Sequence, residues 1–494
     1  MKNSENKSGP VSRRDFIQTS AAATAAAAVV APAARARAAV AANERLRIGF
    51  IGVGGRCQEH VNSAIQLQNN PGSVECAVVC DVFNEYRDGT ARKIEEKTGK
   101  APTKTGDYRD IINDPSIDAV VIATPDHWHA KQTIDALSAG KHVYCEKPMT
   151  HTVQEALDVH KAWKESGKVM QVGVQSTSLP VWKKVNEDIR GGKLGKVLQY
   201  QTEYYRNSSM GQWRYYTLTP AMTPKNIDWD TFLGHEQGLA PKQAFDRAKF
   251  AQWRCYWDFG SGLYTDLFVH RTTSMLTATG LRFPGRVVGA GGIFFEYDGR
   301  EAPDVATVAA DFPEGVQGLA TATMCCSNTP IKQLIRGHNG SAVFGTGEEF
   351  TGYDFVAERP QVTMNSKIKS ERVDVTRPES TTFAHFDNFV EAVLADDPAM
   401  VNCDPELGAA AMVIVKLGAM SYRNGKVYHF DRDTMTFGTG DSSWAKQWEE
   451  MSYAHAAPRH VPGWTAGDTG SKLYPEDYQK LAGPWTNGVD PAQS

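Results

Sequence analysis

The apolar run Leu46-Arg47-Ile48-Gly49-Phe50-Ile51 passes directly into Gly52-Val53-Gly54-Gly55-Arg56-Cys57, and residues 59–67 continue with helical character. A short apolar run bounded by glycines reads as a buried strand. A glycine turn joining a strand to a helix has one well-understood use. Its first glycine permits the tight turn, its second lets an anion approach the backbone, and the helix N-terminus offers free N–H groups to that anion. In this setting G-x-G marks a dinucleotide-binding unit, with Cys57 at the third glycine position. Gly52, Gly54, Gly55 and Arg56 are therefore expected to face a pyrophosphate. The next strand, Glu75 to Cys80, ends in Asp81. A carboxylate there accepts hydrogen bonds from ribose hydroxyls and repels a 2′-phosphate, which favours NAD over NADP as cofactor. The competing reading of Asp81 is a helix cap.

The alternation continues with a strand at 119–123 ending in Thr124-Pro125, a helix at 132–139, a strand at 143–145, a helix at 153–166 and a strand at 169–172. This pattern predicts an α/β fold: a Rossmann, doubly wound parallel sheet with its ligand at the strand C-terminal ends. From about Gln175 the pattern changes. A helical stretch at 181–189 precedes strand-like alternations at 197–205, 286–297, 305–312 and 318–326, which predict an α+β domain with a large, mostly antiparallel open sheet. The expected division is 1–42 signal, 43–175 dinucleotide domain, 176–440 substrate and oligomerisation domain, and 441–494 tail; 494 residues suit such a plan.

The N-terminus carries Ser12-Arg13-Arg14-Asp15-Phe16-Ile17 and an alanine-rich stretch from Ala21 to Ala31. It resembles a twin-arginine export signal, and its apolar run is too short and too weakly hydrophobic to be a transmembrane segment. Small-x-small sites at 36–38 and 39–41 place cleavage around residues 38–42, giving a periplasmic or otherwise exported protein. That route carries folded proteins, so a cofactor can be inserted before export. A net charge of -4 without a basic block argues against nucleic acid as a partner. None of the eight cysteines forms a C-x-x-C pair, and Cys325–Cys326 are expected to be buried free thiols.

Two segments narrow the reading: Ala123-Thr124-Pro125-Asp126-His127-Trp128-His129 followed by Val143-Tyr144-Cys145-Glu146-Lys147-Pro148, and Gly260-Ser261-Gly262-Leu263-Tyr264-Thr265-Asp266-Leu267-Phe268-Val269-His270. In this order they resemble the Gfo/Idh/MocA oxidoreductases over about residues 45–430. The resemblance implies that Glu146-Lys147-Pro148 is the family's E-K-P motif, with Lys147 donating to a substrate hydroxyl. It further implies that His270 is a general base, with Asp266, i−4 on one helix face, orienting the imidazole or binding substrate. Relatives often carry an acidic residue where Thr273 stands. Thr124, Pro125, His127 and His129 are expected against the nicotinamide and its ribose. No third ligand is spaced to make His127 and His129 a metal site, and none is assigned. Between the early strands of the second half, residues 212–258 form an aromatic and basic insertion. Tyr205, Arg206, Arg254, Tyr256 and Trp257 are the candidates to line a sugar pocket.

The activity implied is NAD(P)-dependent hydride transfer at a CH–OH group of a sugar, glycoside or cyclitol, in a homo-oligomer (dimer or tetramer). The alternative is redox-neutral glycoside cleavage through a 3-keto sugar, the chemistry of relatives that tend to lack the lysine of this motif. A third reading, a binding protein that kept the fold, sits poorly with Lys147, Asp266 and His270 together.

Overall fold

The computed structural model describes residues 45–440, except 329–332, 346–349 and 364. The expectations for the export signal and the C-terminal tail lie outside the described residues.

Six parallel strands build the first layer: β1 (Leu46–Ile51), β2 (Val74–Cys80), β3 (Thr103–Thr105), β4 (Ala119–Ile122), β5 (His142–Glu146) and β6 (Met170–Gly173). Their order is β3-β2-β1-β4-β5-β6, so the chain reverses direction across the sheet between β1 and β4. Strands β2 and β4 are buried at every residue, as a sheet with helices on both faces requires. Side chains alternate between two cores. Val120 and Ile122 face one side with Trp128 and Leu137, whereas Ala119 and Val121 face the other with Val61 and Phe386. Phe386 belongs to the Thr381–Leu394 helix, so a late segment covers the Cys57–Asn69 helix of the first domain.

The second sheet has ten strands: β7 (Val197–Tyr205), β8 (Arg286–Gly292), β9 (Val305–Phe312), β10 (Val316–Thr323), β11 (Leu334–Gly337), β12 (Gly340–Val343), β13 (Gly352–Ala357), β14 (Glu371–Asp374), β15 (Tyr428–Asp431) and β16 (Thr436–Thr439). Their order is β14-β13-β12-β11-β7-β10-β9-β8-β15-β16. Only β7–β10 pair in parallel among the described residues; the other neighbours are antiparallel. Burial alternates along β9, with Ala306, Val308, Ala310 and Phe312 turned inward, so one face is fully covered and the other half-buried.

The Pro405–Asn424 helix joins the two layers. Asp404 caps it by accepting from the Leu407 N–H, Pro405 supplies a preset first turn, and Gly425 stops it at φ +63°. Three glycine contacts bring backbones close. A Cβ on Gly408 would lie 2.8 Å from the Val172 side chain, one on Gly418 2.5 Å from Val308, and one on Gly289 2.0 Å from the Gly418 carbonyl oxygen. The helix thus lies against β6 of one sheet and β8–β9 of the other.

Several sequence expectations need correction. The β3 edge strand was not foreseen, being three polar residues without an apolar signal. The run expected to extend to Tyr297 ends at Gly292, because the Asp304 carboxylate accepts from the Phe294, Phe295 and Glu296 N–H groups and folds a turn there. Likewise β10 ends at Thr323, which leaves Cys325 half-buried and Cys326 exposed rather than buried.

Replacing Gly289 by Ala should cost about 1–3 kcal/mol, because the helix must move off the sheet. Gly438→Ala, where a Cβ meets nothing within 4 Å, should stay within about 0.5 kcal/mol. Denaturant unfolding compares the two, and equal stability would show that the contact yields freely.

Candidate functional site

A cavity of about 530 Å³ opens at the C-terminal ends of β1, β2, β4 and β5 and extends to the helix that carries His270. This size suits a small-molecule or cofactor site. At one end lies the glycine turn. Gly52 has φ +77° and a Cβ there would fall 2.7 Å from the Thr124 amide nitrogen, so only glycine fits. A Cβ on Gly55 would meet no atom within 4 Å, which leaves open space above the turn. Arg56 binds Glu146 through Nε at 2.7 Å, yet its buried Nη2 has no protein partner. An open glycine cradle beside an unsatisfied guanidinium fits an anionic group such as a pyrophosphate.

Asp81 lies in the same wall. Its Oδ2 accepts from the Val53 N–H and its Oδ1 from the Phe83 N–H, both at 2.8 Å. Burial pushes the carboxyl up to about 6, partly opposed by those two bonds. Asp81 therefore stiffens the glycine turn and keeps one lone-pair direction on each oxygen. It is not the cap of the next helix, whose N-cap position is Phe83.

Glu146 organises the middle of the site. Its Oε1 accepts from Arg56 Nε, His60 Nε2 (2.8 Å) and Gln175 Nε2 (2.9 Å), and its Oε2 from the Lys147 N–H (2.9 Å). Burial alone would raise this carboxyl, but Arg56 and His60 draw it well below the usual range, so it stays an ionised anchor. His129 straps two loops together, with Nδ1 2.6 Å from the Pro148 carbonyl and Nε2 2.8 Å from the Thr124 carbonyl. Burial lowers its pKa, so the neutral ring donates to one carbonyl at a time.

At the far end the Lys147 ammonium donates to Asp266 twice, to Oδ1 at 2.7 Å and to the carbonyl oxygen at 2.9 Å. Arg254 Nε donates to the same Oδ1 at 3.0 Å, and Trp213 Nε1 to Oδ2 at 2.9 Å. Burial opposes ionisation of Asp266, but Lys147 and Arg254 hold it far below the ordinary carboxylate range. The expectation that Asp266 orients His270 is thereby corrected: its carboxylate is spent on Lys147, Arg254 and Trp213, and among the described residues no hydrogen bond joins it to the imidazole. The regular helix expected here is also modified. Tyr264–Phe268 form a π turn before the Val269–Thr279 helix, a wider turn of the kind often found at functional sites. Burial, then the Lys147 charge, keeps the His270 pKa well below that of a free imidazole, so the ring is neutral at pH 7. Thr273 is buried and donates to the Val269 carbonyl at 2.6 Å, turned away from the cavity.

Of the residues chosen from the sequence, the cavity brings together Gly52, Gly54, Gly55, Arg56, Asp81, Thr124, Pro125, His129, Glu146, Lys147, Arg206, Arg254, Asp266 and His270. Its wall does not include His127, Tyr205, Tyr256 or Trp257. His127 is buried against Phe232 and Phe259 and donates from Nε2 to the Phe232 carbonyl. Strand alternation explains Tyr205: Tyr204 turns toward His270 and Arg206, so Tyr205 faces the opposite side of β7. Tyr256 lies beneath Arg214 and Lys249, and Trp257 donates to the Glu301 carbonyl under Arg423. Sequence reasoning missed Trp213, Tyr204, Tyr215, Tyr216 and Trp253. Asp126 was quoted within a motif but given no role; it is 2 % exposed, takes a bond from Thr265 Oγ1 at 3.0 Å, and is pushed by burial to about 7. Four of the missed aromatics, Trp213, Tyr215, Tyr216 and Trp253, fall inside the insertion already marked as unusual, which was the available signal. Among the described residues no group of three or more His, Cys, Asp or Glu could hold a metal ion, and no helix is long and apolar enough to cross a membrane.

Residues 46–174 match the oxidoreductase family described as Gfo/Idh/MocA, NAD-binding Rossmann fold, and residues 10–30 match the twin-arginine translocation signal. The chain is 28 % identical over 163 residues to inositol 2-dehydrogenase/D-chiro-inositol 3-dehydrogenase of Lactiplantibacillus plantarum, covering 33 % of this chain and 45 % of that protein. It is 32 % identical over 193 residues to an alpha-N-acetylgalactosaminidase of Shewanella oneidensis, covering 36 % and 40 %. The chain thus spans under half the length of these curated relatives. In architecture it resembles levoglucosan dehydrogenase in complex with NADH and L-sorbose, with TM-score 0.58, 20 % identity, and coverage of 78 % of this chain and 98 % of that one. That likeness concerns the fold. The glycine turn and the matched segment agree: residues 46–174 form an NAD-binding Rossmann domain of the Gfo/Idh/MocA oxidoreductase type, and residues 10–30 form a twin-arginine export signal.

Proposed function

We propose that the protein is an exported oxidoreductase that transfers a hydride between a CH–OH group of a sugar, glycoside or cyclitol and a tightly held NAD. The observation carrying this reading is the meeting of Lys147 and a neutral His270 at one end of a cavity whose other end is the glycine turn. The cofactor, when bound, supplies the hydride acceptor or donor. Gly52, Gly54, Gly55 and Arg56 would hold its pyrophosphate and Asp81 its ribose. The Lys147 ammonium has three N–H bonds, two of them committed to Asp266, so one remains for the substrate oxygen. That donor stabilises negative charge as it develops on the oxygen. His270 takes the hydroxyl proton on a ring nitrogen, which its lowered pKa leaves unprotonated and available. Asp266 acts on Lys147 by holding it in place.

A second reading is redox-neutral glycoside cleavage through a 3-keto sugar. The match to an alpha-N-acetylgalactosaminidase favours it, and so does the export signal, because free nicotinamide cofactor is scarce outside the cytoplasm. Release of an aglycone from a synthetic glycoside without net NADH would select this reading over net oxidation.

Three outcomes are expected. Denaturing the purified protein should release near-stoichiometric NAD; an empty protein that binds NAD reversibly would overturn the tightly held cofactor. Lys147→Met should lower kcat by about 10²-fold or more while NAD binding, followed by fluorescence, is retained; full activity would remove Lys147 from the chemistry. Asp81 is ionised above about pH 6, so discrimination against NADP should strengthen from pH 5 to pH 8. The Asp81→Asn variant should retain only the pH dependence of the 2′-phosphate itself; identical profiles would dismiss Asp81 as the discriminating group.

A further inference from the structure

The charges at the His270 end of the cavity do not balance. Three cations, Lys147, Arg206 and Arg254, stand in its wall with one carboxylate, Asp266, and Asp266 already serves both Lys147 and Arg254. Asp126 behind them adds at most one negative charge, and Glu146 is matched by Arg56. A cation therefore remains over. It is Arg206: among the described residues no carboxylate lies within ion-pair distance of its guanidinium.

The structure holds this guanidinium still. The Arg206 N–H donates to the Thr323 carbonyl at 2.9 Å, fixing its backbone at the end of β7. Its Cζ stacks 4.9 Å over the Tyr204 ring, and Nη2 donates to the Tyr204 hydroxyl at 2.8 Å. The Tyr204 ring in turn lies 6.2 Å from the His270 ring. Arg254 is fixed similarly, with its Cζ 4.2 Å over Trp253 and Nε on Asp266, while its terminal nitrogens have no protein acceptor among the described residues. Two preorganised guanidinium forks thus border the chemical end, away from the glycine turn where Arg56 stands. Sugar hydroxyls can bond to a guanidinium but do not neutralise it, and a half-buried cation gains most from an anion that accepts two N–H bonds at once.

We propose that the substrate is an anionic sugar of the uronic-acid type, whose carboxylate is bound by Arg206 with help from Arg254. This rests on the carbohydrate reading above and makes it specific. The ring carbon bearing the reacting hydroxyl then lies between the carboxylate fork and the Lys147–His270 pair.

The test is calorimetric titration of the NAD-loaded protein with methyl glycosides of gluco, galacto and manno configuration. Each is offered as the neutral sugar, the uronate and the 6-phosphate, and turnover is followed in parallel. The binding uronate should exceed its neutral counterpart by about 30-fold or more in affinity, the size expected for one desolvated charge pair. In Arg206→Gln this ratio should fall below about threefold, and Arg206→Lys should restore part of it. Neutral sugars that bind and react as well as uronates would overturn the proposal and leave the oxidoreductase reading standing. Tighter binding of the 6-phosphates would overturn the carboxylate assignment. A uronate that binds through Arg206 without oxidation or cleavage would overturn the chemistry and leave the proposal standing. Binding of no member would overturn both.

Discussion

One buried carboxylate, Asp266, connects the parts of this molecule that face the cavity. It receives Lys147 from the end of β5, and Arg254 and Trp213 from the insertion between β7 and β8. Those three side chains come from segments far apart in the chain, and each would be a poorly compensated donor without it. A charge taken out of water is tolerable only when paired and hydrogen-bonded, and removing one member of such a group commonly costs about 3–5 kcal/mol. The first domain thus supplies a lysine that only the second domain can hold in place.

The same interdependence governs the packing. The Thr381–Leu394 helix covers the Cys57–Asn69 helix, and the Pro405–Asn424 helix is pressed between β6 and β8–β9. A division of the chain at residue 175 describes the order of its elements and not its cores, because the hydrophobic cluster around Trp182, Phe312 and Val415 runs unbroken into that of Val120 and Leu157. The cavity lies where these layers meet. Its floor is made of strand ends and its far wall of a loop insertion, the usual division between a rigid scaffold and the segments that read a ligand.

The glycine turn, the acidic residue after β2 and the E-K-P segment were legible because each is a local device. A positive φ at Gly52, a strand ending at Cys80 and a run of buried β-branched residues are set by neighbours in sequence. Strand ends were harder. The early stop of β8 depends on Asp304, which lies on the far side of a turn and accepts three backbone N–H groups. Of the five candidates named for the pocket, Arg206 and Arg254 line the cavity, whereas Tyr205 does not: Tyr205 and Tyr204 are equally aromatic, and the pleat alone decides which faces His270.

The sequence by itself determined the two-layer plan, the address for export, and which residues bear the lysine, the imidazole and the glycine cradle. These follow from periodicity, turn chemistry and motif order, all readable within short windows. Only the tertiary structure decided which partner each charge takes. Asp266 and His270 stand four residues apart and suggest a pair, yet the π turn and the arrival of Lys147, Arg254 and Trp213 give the carboxylate to them. Pairing in a buried site is settled by distance and desolvation among groups remote in the chain, and no local pattern encodes either.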